Sequence, residues 1–318
     1  MIKTKKTKYL ELINVLFDDL DVTLSNYGAS IIDIKTKNQN GKKESIVLKH
    51  RRYKDYLNDF SMMGKTVGRV AGRIENGCFK IDDKNYSIPL IQGNHLLHSG
   101  KHSLANQSFA YSYLEDKDYA KIDFFYLDRE EVDSFPGDLS LKVSYEITND
   151  SILITYFAKS NKDTLCNITN HSYFNLSGDF KYPMNDTKLR IDSNYFYTND
   201  ETGLILDKKE VYGGFDFRGG KIINDNIINT PNKGLDHFFL LDDGGKIVLE
   251  DIVSKRRVIF EGSQTGVQIF SPMNDKNDVW FIAVELQNLP NGINREEKDK
   301  SILRKNQEYK HYIRMVFK

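Results

Sequence analysis

Residues 139–158 read LSLKVSYEITNDSILITYFA, and this stretch decides the fold class. Apolar and polar side chains alternate through residues 139–147, a period of two that is typical of a β-strand with one buried face. Asn149 and Asp150 come next, and both residue types favour tight turns between antiparallel strands. Residues 151–158 then predict the returning strand of a hairpin.

Runs of the same kind recur along the chain. They lie at about residues 79–90, 107–113, 120–127, 236–241, 246–250, 256–261, 266–271, 279–287 and 309–317. Helical patterns of 10–15 residues do not separate these runs, which argues against a nucleotide-binding α/β fold. We therefore predict an all-β protein, a large antiparallel β-sandwich. Because the six prolines are scattered and no repeat or flexible linker is present, we predict one domain over residues 1–318.

The composition restricts the partners of the protein. The 45 lysines and arginines balance 45 aspartates and glutamates, so no overall positive field is present to hold a nucleic acid or an anionic membrane. A small neutral ligand fits this balance best, and we expect a monomer or a homodimer. Two cysteines in 318 residues do not make a disulfide framework, which favours a cytoplasmic protein. The first 20 residues reach acidic side chains before any adequate apolar stretch, so we expect no signal peptide.

Three histidines lie close together in the sequence, at His95, His98 and His102. Their spacing of three and four would place them on one face only in a helix, whereas the glycines and serine around them indicate a loop. A metal site, ordinary surface histidines and a substrate contact by His98 are all compatible with this pattern. The MGKT sequence at residues 63–66 does not predict a phosphate-binding loop, because Asp59 stands where the first glycine is required.

Two ionisable side chains stand in unusual surroundings. Glu285 interrupts a run that is apolar on both faces, at residues 279–287. Desolvation raises the pKa of such a carboxyl group, which suits a general base near neutral pH; a glutamate paired with an arginine is the alternative. His171 lies among short polar side chains, which fits either an active site or a core histidine bonded to its neighbours. Asp236, which opens a strand, carries a weaker version of the argument for Glu285.

These segments together resemble the aldose 1-epimerase (galactose mutarotase) family, and they occur in the order of that family across almost the whole chain. The most specific match is TNHSYFNL at residues 169–176, which agrees with the family signature in every position. The other matching segments are GRVAGRI at 68–74, NHLLHSG at 94–100, TG at 202–203, FDFR at 215–218, LDH at 235–237, GVQ at 266–268 and VELQNLPN at 284–291. The sequence departs from the family pattern at Gly72, Ser99, Leu286 and Asn291.

The resemblance implies the galactose mutarotase-like sandwich fold and an enzyme that interconverts the α and β anomers of free hexoses such as glucose and galactose. It implies that Glu285 is the catalytic base and His171 the catalytic acid. It also implies that four side chains bind the sugar, namely Arg73, His98, Asp236 and Gln268. We expect no metal and no cofactor, because the reaction moves only protons.

Three other functions remain open. A hexose-6-phosphate 1-epimerase of the same superfamily would need a cationic clamp for the phosphate, which Arg51, Arg52 and Arg69 could supply. A glycoside hydrolase could use Asp236 and Glu285 as its pair of carboxylates. A non-catalytic sugar-binding protein of the same fold would need neither the acid nor the base.

Overall fold

The computed structural model describes residues 1–91, 93–231, 233–297 and 301–318. Its strands, numbered β1 to β28 along the chain, form three large sheets and several two-stranded pairs. The largest sheet has nine strands, in the order β11 (Ala110–Asp116), β12 (Tyr119–Asp128), β13 (Leu139–Ile147), β14 (Ser151–Ser160), β28 (Glu308–Phe317), β24 (Arg257–Gly262), β23 (Ile247–Asp251), β18 (Thr187–Ile191) and β21 (Lys221–Ile222). All pairings between these nine strands are antiparallel.

The other two large sheets have five and six strands. The first contains β1 (Ile2–Lys6), β2 (Glu11–Leu16), β3 (Leu20–Ser25), β4 (Ser30–Lys37) and β5 (Lys43–Ser45), paired in chain order. The second has the order β17 (Tyr173–Phe174), β26 (Ile282–Gln287), β25 (Gly266–Pro272), β22 (Gly234–Leu240), β19 (Tyr195–Asn199) and β20 (Ile205–Glu210).

The remaining elements are short. The two-stranded pairs are β7 (Arg73–Glu75) with β10 (His95–Leu97), β6 (Thr66–Val67) with β16 (Thr169–Asn170), β15 (Thr164–Leu165) with β27 (Ile302–Leu303), and β8 (Cys78–Ile81) with β9 (Lys84–Ser87). The α-helices are α1 (Glu130–Asp133) and α2 (Ile223–Ile227). Turns of 3-10 helix span Tyr53–Asn58, Gly100–His102, Leu104–Asn106, Gly213–Phe215 and Gly292–Asn294.

One apolar core joins the three large sheets. Ile34 of β4, Val143 of β13 and Val284 of β26 all belong to it and are each at most 4% exposed. Successive side chains of a strand point to opposite faces. One face of each sheet therefore supplies this core, and the side chains of the other face can line a surface or a site. Burial of each such side chain contributes about 1.5–3 kcal/mol, which stabilises the sandwich against strand separation. The predicted all-β sandwich is confirmed, and the assignment of the chain to one domain stays a prediction.

Most of the predicted runs coincide with observed strands, but one run is divided and several observed strands were not predicted. The hairpin at residues 139–158 is confirmed, with Ile147 opposite Ile152 in the register of β13 and β14. The run at 79–90 is wrong as a single strand, because Asp82 adopts a left-handed conformation (φ 51°) and turns the chain between β8 and β9. The N-terminal sheet, β1 to β5, was not among the predicted runs, and neither were the strands β17 to β21 of the other two large sheets. Within the described residues, no helix has both the length and the apolar character needed to cross a membrane.

Candidate active site

Three neighbouring strands of the six-stranded sheet carry polar side chains on the face that turns away from the core. Glu285 of β26 lies directly opposite Gln268 of β25 in the register, and Asp236 of β22 is the diagonal neighbour of Gln268. The flanking residues Val284 and Leu286 point the other way into the core, as the period of two requires. Gln268 Nε2 donates a 2.6 Å hydrogen bond to Asp236 Oδ1. The sheet therefore holds two carboxyl groups and an amide on one surface.

The backbone around Gly64 fixes the position of His171, which lies between the short strands β16 and β17. His171 N donates to Lys65 O over 2.9 Å, and Gly64 N donates to His171 O over the same distance. Gly64 has a φ of +69°, and a Cβ at this position would lie 1.8 Å from Ile31 O, so only glycine fits. These backbone contacts place His171 Nε2 3.4 Å from Glu285 Oε1.

Arg73 and His98 face these groups from the pair β7 and β10. Arg73 lies opposite Leu97 in that pair, and His98 follows directly. His98 N donates to Gly72 O over 3.0 Å, while Gly72 N donates to His98 Nδ1 over 3.2 Å. The imidazole ring of His98 packs edge-on against that of His171, with ring centroids 5.2 Å apart. Arg73 Nη1 lies 3.4 Å from Asp236 Oδ2.

The structure brings all six residues predicted for the site into one cleft of about 210 Å³. They span more than 200 positions in the sequence, from Arg73 to Glu285, so folding alone brings them together. The cleft has further walls, formed by residues that were not among the predicted site residues. These residues include Phe60, Met62, Leu97, Tyr173, Gly203, Phe270 and Pro290.

Burial dominates the electrostatics of the pair formed by Glu285 and His171. Burial raises the pKa of Glu285 well above its ordinary value, and the charge of Asp236 adds to this effect while Arg73 opposes it. Burial lowers the pKa of His171 to about 4, opposed by the charges of Asp59 and Asp236. Glu285 Oε2 and His171 Nδ1 are both buried without a hydrogen-bond partner among the described residues. Burial thus favours the neutral form of each group, a carboxylic acid beside an uncharged imidazole.

The cluster of His98, His171 and Glu285 has the composition of a metal site, since their ligand atoms lie within 4.8 Å of one another. The hydrogen bond from Gly72 N to His98 Nδ1 argues against this role. A neutral imidazole that accepts at Nδ1 carries its proton on Nε2 and has no free lone pair for a metal, whereas a metal-bound histidine donates its second N–H to an acceptor. The same bond makes His98 Nε2 a hydrogen-bond donor.

The other histidines and the candidate phosphate clamp lie outside this arrangement. His95 Nε2 lies 2.8 Å from Thr202 Oγ1, and His102 is in a 3-10 turn. Arg69, which was considered as part of a phosphate clamp in the alternative function, cannot serve in one. Its guanidinium is fully buried, with Nε 2.9 Å from Asp128 Oδ2 and 2.6 Å from Asp133 Oδ2, so it cannot contact a ligand in the cleft.

The contribution of the loop at residues 59–63 to the cleft was not predicted from the sequence. Asp59 accepts hydrogen bonds from Ser61 N at 2.9 Å and Met63 N at 2.7 Å, and Tyr173 Oη donates to Ser61 O over 2.9 Å. These bonds hold Phe60 at the rim, where its side chain is 87% exposed. Asp59 had a local signal, because aspartate commonly caps turns, but the contact of this loop with Tyr173 spans 112 positions and has no signature in the sequence.

Solved structures of similar fold define the structural class. A GalM/aldose epimerase homologue from C. elegans has a TM-score of 0.87 and 23% sequence identity, covering 97% of this chain and 99% of that chain. The galactose 1-epimerase of Lactobacillus acidophilus NCFM also has a TM-score of 0.87, with 25% identity and coverage of 100% and 98%. The fold is therefore the galactose mutarotase-like sandwich.

Sequence comparison establishes the family. The aldose 1-epimerase family profile matches residues 13–316. The galactose mutarotase of Sus scrofa is 26% identical over 97% of this chain and 94% of its own length. The aldose 1-epimerase of Escherichia coli (strain K12) is 31% identical over 71% of this chain and 67% of its own length. The chain belongs to the aldose 1-epimerase family, and the reaction class is that of an isomerase.

Proposed function

We propose that this protein interconverts the α and β anomers of free hexoses such as glucose and galactose, with Glu285 as base and His171 as acid. The observation that supports this proposal is the buried contact of 3.4 Å between Glu285 Oε1 and His171 Nε2 at the base of a polar cleft. Arg73, His98, Asp236 and Gln268 line the same cleft and are proposed to bind the sugar hydroxyls.

The chemistry needs one proton acceptor and one proton donor. Removal of the proton from the C1 hydroxyl, with protonation of the ring oxygen, breaks the bond between C1 and that oxygen and leaves an aldehyde. After rotation about the C1–C2 bond, the ring oxygen attacks the other face of the carbonyl, and both protons return. No hydride or electron is transferred, so Glu285 and His171 are sufficient. General catalysis by each group contributes roughly 10²–10⁴-fold.

The number of protons held by Glu285 and His171 together fits this mechanism. Burial favours a neutral carboxylic acid beside a neutral imidazole. The proposed working form, a carboxylate beside an imidazolium, contains the same single proton in a different place. Because the two groups interact, they titrate as one unit, and the active form is lost when the pair takes up a second proton or loses its only one.

Four side chains are proposed to hold the sugar while its anomeric end reacts. The Gln268–Asp236 hydrogen bond of 2.6 Å fixes the orientation of the Asp236 carboxylate. His98 presents Nε2–H as a donor, because Nδ1 accepts from Gly72 N. Arg73 adds a cation that is 24% exposed in its side chain. Fixed donors and acceptors of this kind lower the barrier by positioning the substrate.

The proposal includes the cellular setting. We propose a cytoplasmic enzyme that acts as a monomer or homodimer, without a nucleic acid, a membrane or a cofactor. Cys78 and Cys166 are both free, which is compatible with a reducing compartment. The balance of 45 basic and 45 acidic side chains likewise favours a neutral sugar over a polyanion.

Polarimetry with purified protein tests the function. Freshly dissolved α-D-glucose and α-D-galactose should reach their equilibrium rotation faster with the enzyme than without it. Glucose 6-phosphate should be a poorer substrate, because Arg69 is buried against Asp128 and Asp133, and neither Arg51 nor Arg52 lines the cleft. An aryl glycoside should release no aglycone. Unchanged mutarotation rates for both free sugars would contradict the proposal, and aglycone release would instead indicate a hydrolase.

A further inference from the structure

The turn at residues 200–204, between β19 and β20, forms part of the cleft wall and has a fixed conformation. Asp200 Oδ1 accepts hydrogen bonds from Thr202 N at 2.8 Å, Thr202 Oγ1 at 2.6 Å and Leu204 N at 3.0 Å. Gly203 N donates to Asp200 O over 3.1 Å. The hydroxyl of Thr202 is the main cause of the lowered pKa of Asp200. The turn is thus bonded internally at nearly every residue.

Gly203 of this turn lies directly against the guanidinium of Arg73. The backbone of Gly203 has a φ of +79°, and a Cβ built there would lie 2.6 Å from Arg73 Cζ and 2.8 Å from Nη2. Such distances are too short for any real Cβ, so the guanidinium occupies the space that a side chain would fill. The Asp236 contact of Arg73 is long, at 3.4 Å. Packing against Gly203 is therefore a main restraint on the orientation of Arg73.

A chain of hydrogen bonds ties the turn to the strand pair that carries Arg73. Asn76 N donates to His95 Nδ1 over 3.2 Å, which leaves the proton of a neutral ring on Nε2. His95 Nε2 then donates to Thr202 Oγ1 over 2.8 Å, and the hydroxyl donates to Asp200 Oδ1. His95 is on β10, which pairs with β7 and so with Arg73. The strand pair β7 and β10 therefore carries Arg73 and also holds the turn through His95.

We infer that Gly203 is a positioning residue that orients Arg73 for substrate binding, and that Thr202 and His95 hold Gly203 in place. This inference rests on the proposed sugar contact of Arg73. Alanine at position 203 would strain the backbone at its positive φ and would displace the guanidinium, which is the far end of a flexible side chain. The lost interaction is a hydrogen bond from a charged group, which corresponds to a rise in KM of roughly 10–100-fold. The turnover number kcat should fall much less, because Arg73 binds the sugar and does not transfer its protons.

Four variants test the inference by steady-state polarimetry, with the melting temperature measured in parallel. They are Gly203→Ala, Arg73→Ala, the double variant, and the matched control Gly244→Ala. Gly244 has a similar φ of +68° with nothing within 4 Å of its built Cβ, so alanine there adds backbone strain alone. We expect similar losses of melting temperature for the two glycine variants and a raised KM for Gly203→Ala only. In the double variant, KM should equal that of Arg73→Ala within about twofold, because coupled substitutions are not additive.

The outcomes separate this inference from the proposed function. A wild-type KM for Gly203→Ala beside a raised KM for Arg73→Ala overturns the inference and leaves the proposed function intact. Independent, multiplicative effects in the double variant also overturn it. A wild-type KM for Arg73→Ala overturns both the sugar contact and the inference.

Thr202→Val provides a second route if Gly203→Ala does not fold. Valine keeps the size of the side chain and removes the hydroxyl that joins His95 to Asp200. We expect KM to rise about 3–10-fold, as for the loss of one ordinary hydrogen bond, and to rise no further in the Arg73→Ala background. A wild-type KM for Thr202→Val, or a further rise in that background, contradicts the supporting role of the hydrogen-bond chain.

Discussion

Replacement of Glu285 by glutamine removes the proposed base and changes little else. The carboxyl group is 2% exposed, its pKa is raised by burial, and Oε2 has no hydrogen-bond partner among the described residues. Burial therefore favours the neutral form of this carboxyl group, which an uncharged amide of the same size imitates. We expect the variant to fold and to bind sugar. Its kcat should fall roughly 10²–10⁴-fold, which corresponds to about 3–5 kcal/mol in the activation free energy.

The assay is the first-order approach of α-D-galactose to equilibrium rotation, corrected for the spontaneous reaction. Glu250→Gln serves as the control, because Glu250 lies exposed on β23, outside the cleft. Sugar affinity is followed separately by calorimetry, so that loss of binding is distinguished from loss of turnover. Near wild-type kcat for Glu285→Gln would refute the assignment of the base, and Asp236 would become the leading candidate.

Three further predictions follow from the same geometry. Plots of kcat/KM against pH should be bell-shaped. Activity should fall as the pH decreases towards about 4, where the pair takes up a second proton at His171, and should fall again as the pH rises past the raised pKa of Glu285, where the pair loses its only proton. A flat profile would contradict a shared proton. Protein treated with EDTA should keep full activity, and loss of activity that a divalent ion restores would show that a metal is required. His98→Asn and Asp236→Asn should raise KM at least as much as they lower kcat in polarimetric assays, whereas a fall in kcat alone would place these residues in the proton transfers.

The fold class was accessible from the sequence because period-two alternation is a local property. Residues 139–158 predicted a hairpin, and β13 and β14 form it. The N-terminal sheet was missed even though β3 carries the same signal, with Leu20, Val22 and Leu24 all buried. The turn within residues 79–90 was missed although Asp82 and Asp83 are a residue type that favours turns, and the left-handed backbone at Asp82 places this turn between β8 and β9.

The site was only partly accessible from the sequence. Burial of Glu285 could be inferred from its apolar neighbours, and the raised pKa agrees with that inference. The contact between Glu285 and His171 could not be inferred from local pattern, because it joins residues more than 100 positions apart. The burial of Arg69 was missed for the same reason, since its partner Asp128 lies 59 positions away. The contact of Gly203 with Arg73 likewise depends on how two distant segments pack.

The central claim is that Glu285 and His171 act as one proton-transferring unit, and kcat for the double variant Glu285→Gln/His171→Asn tests it most directly. Each single variant should lose roughly 10²–10⁴-fold. If the acid and base work together in one ring-opening step, the double variant should be little slower than the slower single variant, because either change alone already disables the step. Losses that multiply in the double variant would contradict the claim and would show that the two side chains act independently.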